Sequence, residues 1–113
     1  MSKSQRTKAL EIPHEVKRAV ARRDSVDGYP CCLWCGKPAP TDNITAFSCA
    51  HILRRSHGGR GIETNIVTLC WECHIKFDES EESQKIMDFI CRYMKQCYGE
   101  EWNIQEQEYR KGE

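Results

Sequence analysis

No apolar run in this sequence approaches the roughly 18 residues that a membrane-spanning helix needs. No apolar stretch follows the basic residues Met1 to Lys8, so no signal peptide is expected there. A cytoplasmic protein without a membrane partner is therefore the expectation. Internal repeats and low-complexity tracts are also missing. Net charge is absent: 17 Lys and Arg balance 17 Asp and Glu, so whole-chain charge gives no sign of a polyanionic partner. Apolar content is modest, at 39% of 113 residues with a mean hydropathy of −0.72, which describes one small domain with a thin core.

What stands out is eight cysteines. Without an export signal they point to metal binding rather than to disulfides, and a core this small is commonly stapled by a structural metal. Cys32-x2-Cys35 and Cys70-x2-Cys73 form two thiolate pairs with 34 residues between the inner cysteines. Each short loop lets two sulfurs reach one ion, and two such knuckles complete a closed, tetrahedral zinc site with no position left for water. The implied Zn2+ is structural, one per chain. Cys31 is the spare of its pair. Cys70-Trp-Glu-Cys-His74 also matches a c-type haem attachment sequence, but that reading leaves Cys32 and Cys35 unexplained. Cys91 and Cys97 have no partners at ligand spacing and are expected to be buried small hydrophobes.

The zero net charge conceals an asymmetry. Residues 1–24 carry a net +4, residues 25–76 a net +1 and residues 77–113 a net −5. A basic front and an acidic back suit a protein that turns one face to a polyanion. Residues 1–12 are expected to form a disordered basic leader, 13–99 a single domain with its core in 30–79, and 100–113 an acidic tail. Pro13 suits the start of a helix striped by Val16, Ala19 and Val20, ended by Asp27-Gly28 and Pro30. Residues 44–53 are rich in β-formers and read as a strand, with Cys49 and His51 on one face and Ser48 and Ala50 on the other. A glycine-rich basic loop, 54–61, follows it. Residues 65–70 read as a return strand. From Trp71 a helix of about two turns carries His74 and Asp78 on one face. A last helix, 80–98, is capped by Ser80 and ended by Gly99, with Ile86, Phe89, Ile90, Tyr93, Met94 and Cys97 as its core or dimer stripe.

With the four knuckle cysteines set aside, His51 on a strand, Asn65 after the glycine loop and His74 on a short helix remain. This constellation resembles the HNH endonuclease family and its ββα-metal (His-Me finger) site. The stretches Ala50-His-Ile-Leu-Arg-Arg-Ser-His-Gly-Gly-Arg-Gly and Asn65-Ile-Val-Thr-Leu-Cys-Trp-Glu-Cys-His74 look particularly like the small zinc-knuckle HNH proteins of phages and bacteria. The resemblance covers about residues 30–78. It implies a small α+β fold, a ββα-metal core stapled by zinc and flanked by N- and C-terminal helices.

By that resemblance His51 is a general base, Asn65 braces the loop that orients it, and His74 binds one catalytic divalent ion such as Mg2+ or Mn2+. The implied activity is hydrolysis of DNA phosphodiester bonds. Many members place Asp or His just before the base as a metal ligand; here Ala50 stands there, and Asp78 becomes the candidate second ligand. Arg54, Arg55 and Arg60 can fork onto phosphate oxygens, and His57 in the same loop is at most a minor contact. Lys17, Arg18, Arg22 and Arg23 extend a sequence-independent footprint on DNA. A homodimer would supply two active sites for a symmetric double-strand cut. The rival reading is a non-catalytic zinc-binding module that holds DNA or a protein. A weaker one is a redox or zinc sensor.

Overall fold

The structure, a computed structural model, describes residues 4–111. Residues 1–3 of the leader and 112–113 of the tail lie outside the described residues. The leader carries a helix, α1 (Gln5–Leu10), where disorder was expected; the Ser4 side chain caps it by accepting from the Thr7 amide. α1 is held by tertiary contacts. Leu10 is buried, and the Gly61 amide donates to the Ala9 carbonyl at 2.9 Å. Gly61 has to be glycine there, because a Cβ would stand 1.8 Å from the Glu11 carbonyl oxygen.

α2 (His14–Arg23) follows Pro13 and turns Val20 and Ala21 into the core. A two-residue hairpin, β1 (Ser25–Val26) and β2 (Tyr29–Pro30), reverses the chain at Asp27 and Gly28. Both have positive φ, 53° and 86°, as the tight Asp-Gly hairpin turn requires.

The centre is an antiparallel pair, β3 (Ser48–His51) and β4 (Ile66–Leu69), in register Ser48 to Leu69 and His51 to Ile66. β3 is shorter than the 44–53 strand the composition suggested. The Asn43 carboxamide oxygen accepts from the Thr45 amide and hydroxyl, which curls residues 43–45 into a turn and keeps them off the pleat. Within β3 the expected alternation holds: Ser48 and Ala50 are buried, whereas Cys49 and His51 are half-buried.

α3 (Trp71–Glu79) packs on this pair, and α4 (Ser83–Tyr98) packs on α3. Ser80 does not start α4. Its hydroxyl donates to the Lys76 carbonyl and accepts from the Glu82 amide, closing α3, so α4 begins three residues later. Ile86, Ile90 and Met94 are fully buried in the chain's own core beside Ile52, Val67 and Phe77. Cys91 is only half-buried, and Cys97, on the last turn, is exposed rather than buried.

The acidic tail is packed. Trp102 is buried, and its indole donates to the Thr64 carbonyl at 2.8 Å. Glu108 bridges Gly59, the Arg60 amide donates to the Gln107 carbonyl, and the Tyr109 amide donates to that of Gly58. Buried Asp24 joins α2, β4 and α4: it accepts from the Arg23 guanidinium at 2.8 and 3.0 Å, the Thr68 amide at 3.0 Å and the Tyr93 hydroxyl at 2.7 Å. Arg23 is thereby committed to the interior and does not extend a surface footprint.

Candidate active site and metal centre

Cys32, Cys35, Cys70 and Cys73 converge, with all four sulfurs within 4.8 Å of one another. The first knuckle is a turn closed by the Gly36 amide on the Cys32 carbonyl, and the Leu33 amide pins it to the Thr68 carbonyl of β4. The second is the first turn of α3, closed by the His74 amide on the Cys70 carbonyl. Cys35 and Cys70 Sγ are 3.9 Å apart, close to the roughly 3.8 Å edge of a tetrahedron whose metal–sulfur bonds are about 2.3 Å. These four thiols are placed to hold one metal ion. Burial and the adjoining thiols push the Cys73 pKa up, so a cation is needed to keep such a cluster ionised. Cys31 Sγ turns instead to the Tyr29 carbonyl, which leaves it the spare.

On the other side of β3 lies a cleft of about 580 Å³, lined by His51, Arg54, Arg55, His74 and Asp78 among others. Hydrogen bonding fixes each ring's tautomer. His51 Nε2 is 2.8 Å from the Leu10 carbonyl oxygen. A carbonyl only accepts, so Nε2 carries the proton and Nδ1 of the neutral ring keeps its lone pair. Burial first, then the Arg55 charge, lower the His51 pKa from its ordinary 6.5, while the Leu10 contact partly offsets them. The ring is neutral at pH 7.

His74 is set the opposite way. The Ser48 hydroxyl spends its proton on the Leu69 carbonyl at 2.7 Å, so its oxygen accepts from His74 Nδ1 at 2.9 Å. His74 Nε2 is then an open donor atom for a metal, 3.5 Å from Asp78 Oδ2. Adjacent sites on an octahedral ion with bonds of about 2.1 Å stand about 3.0 Å apart, so a small inward turn of the exposed Asp78 carboxylate would bring the pair onto one divalent ion. Asp78 Oδ1 lies 3.3 Å from Arg54 Nη1, leaving Oδ2 for the cleft.

Asn65 is fully buried behind the cleft. Its carboxamide oxygen accepts from the Leu53 amide at 2.8 Å, and its nitrogen donates to the Leu53 and Arg60 carbonyls at 3.2 and 2.9 Å. One side chain thus closes the loop that follows β3. Gly59 is needed in that loop, since a Cβ there would stand 1.7 Å from the Leu53 carbonyl oxygen.

The three arginines separate. Arg55 is exposed at the cleft. Arg54 lines it too, but its guanidinium also donates to the Phe77 carbonyl at 3.1 Å and stacks over the Phe77 ring. Arg60 points away and donates to the Glu106 and Gln107 carbonyls of the tail. His57 is exposed and lines a separate hollow. Ala50 is buried and offers the cleft no ligand.

Sequence reasoning missed Ser48 and the Leu10 carbonyl. Ser48 left one signal, a polar side chain on the buried face of a strand, which demands a partner. A backbone carbonyl leaves none.

A β-hairpin and a following helix that enclose a histidine-lined cleft, with cysteine knuckles placed to hold a metal ion alongside, define a ββα-metal fold. Over residues 32–90, more than half its length, the chain matches the family model described as HNH endonuclease. The chain belongs to the HNH endonuclease family. No curated protein matches it. No helix among the described residues is long and apolar enough to cross a membrane.

Proposed function

We propose that this protein is a metal-dependent DNA endonuclease, with His51 as general base and His74 and Asp78 as protein ligands of one catalytic divalent ion. The observation that supports it best is the complementary tautomer pair: Nδ1 of His51 and Nε2 of His74 are both open lone pairs bordering one cleft. His51 takes a proton from a water at Nδ1 while its Nε2–H stays on the Leu10 carbonyl, and its lowered pKa keeps it ready at neutral pH. Asn65 holds the 53–60 loop so that His51 keeps its aim. Arg55, and Arg54 in part, meet phosphate oxygens beside it. The divalent ion, Mg2+ or Mn2+, supplies stabilisation of charge on the phosphate and the departing 3′ oxygen. The four-thiolate site takes zinc, whose work is structural.

The test is supercoiled plasmid with Mg2+ or Mn2+, with and without chelator. Ion-dependent nicking or linearisation is expected, and His74→Ala should need a much higher ion concentration for the same rate. Ala50 favours a second reading, a zinc-stapled DNA-binding module with a vestigial site, because the position before the base gives no ligand. Salt-sensitive DNA retention without cleavage under any divalent ion would select that reading.

A further inference from the structure

Trp71, the first residue of α3, is 63% exposed, although it sits three residues before His74 on the helix that borders the cleft. It is far more exposed than the chain's other two tryptophans: Trp102 is buried and Trp34 is half-buried against Phe89. The indole stands at the rim of a separate hollow of about 310 Å³, lined by Ile12, Lys17, Ile44, Cys49, Trp71 and His74 among others. Ile12, Cys49 and His74 also line the catalytic cleft, so the two depressions are continuous. The hollow is largely apolar, carries one cation at Lys17, and has an aromatic ring at its mouth.

We propose that this hollow receives an unstacked nucleobase from the strand whose phosphate occupies the cleft, with Trp71 as the stacking platform. An apolar pocket suits the face of a base. An exposed indole offers stacking that every base can use, and a neighbouring lysine meets the adjoining phosphate. In an intact duplex each base is already stacked and paired, so the subsite favours DNA with unpaired bases at the cut: a single strand, a gap, a bulge or a branch. Trp71 is here a specificity residue. It touches the substrate but takes no part in proton transfer or metal ligation. The inference rests on the nuclease reading for the location of the scissile phosphate, but it is tested by binding and does not need turnover.

The experiment compares the wild type with Trp71→Ala and Trp71→Phe, without divalent ion, on two labelled substrates of equal length. One is a perfect duplex and the other carries a short unpaired thymine bulge. Zinc content is checked in each variant. The wild type should bind the bulged DNA more tightly than the duplex. Trp71→Ala should lose about tenfold or more on the bulge with under a twofold change on the duplex, and Trp71→Phe should recover most of the loss. Equal losses on both substrates would overturn the proposal and assign the indole to general duplex contact. Unchanged binding to both would also overturn it. Failure of the plasmid to be cut would bear on the nuclease reading alone.

Discussion

His51 is held by a single carbonyl and depends on staying neutral. Its pKa lies below 6.5 because burial and the Arg55 charge both oppose the imidazolium. The acid limb of kcat/KM against pH should therefore have its midpoint below 6.5, and Arg55→Ala should move that midpoint upward. The same shift links to stability. Between the folded pKa and 6.5 the unfolded chain binds more protons, so this contribution is complete above 6.5 and is lost as pH falls through that window. Asn65→Ala strands the Leu53 amide and two carbonyls in the interior. It should destabilise the fold by about 3 kcal/mol, read from the urea midpoint. Asn65 was legible as a loop brace through the family resemblance, and its carboxamide, serving an amide and two carbonyls together, suits that place. The commitment of Arg54 to the end of α3 and of Arg60 to the tail was not legible, since a basic loop looks the same in sequence whether its forks meet phosphate or backbone.

α1 carries the carbonyl bonded to His51, the proposed base. Deleting residues 1–11 should lower the cleavage rate about 10- to 100-fold, as misaimed catalytic groups do. Zinc content should be retained, because the knuckles lie elsewhere. A rate unchanged by the deletion would show that Leu10 does not orient His51. α1 was invisible in the sequence for a physical reason: six mostly polar residues bury a single leucine, so periodicity has nothing to report, and the helix exists through Ser4 and its contacts at Gly61. The packing of the acidic tail left no signal either, as its charged residues hide Trp102 and Gln107. α3 and the buried stripe of α4 were readable because their apolar and functional residues recur at helical spacing. The start of α4 was not, because Ser80 can cap an incoming helix or close the preceding one.

The molecule as a whole keeps its four clustered thiols and its histidine cleft apart while sharing β3, β4 and α3 between them. Losing one thiolate breaks a closed tetrahedral shell, so Cys32→Ser should abolish zinc binding and unfold the domain. Metal analysis with circular dichroism checks this, and a variant that kept both zinc and fold would refute the four-thiolate assignment. The spacing of the two cysteine pairs made that site legible, and the resemblance carried by His51, Asn65 and His74 did the same for the cleft. The measurement closest to the central claim is the initial rate of plasmid cleavage by His51→Ala beside the wild type, at saturating divalent ion and one zinc per chain. A fall of about 100- to 10,000-fold with DNA binding intact is expected of a lost general base. A rate within a few-fold of the wild type would contradict the account.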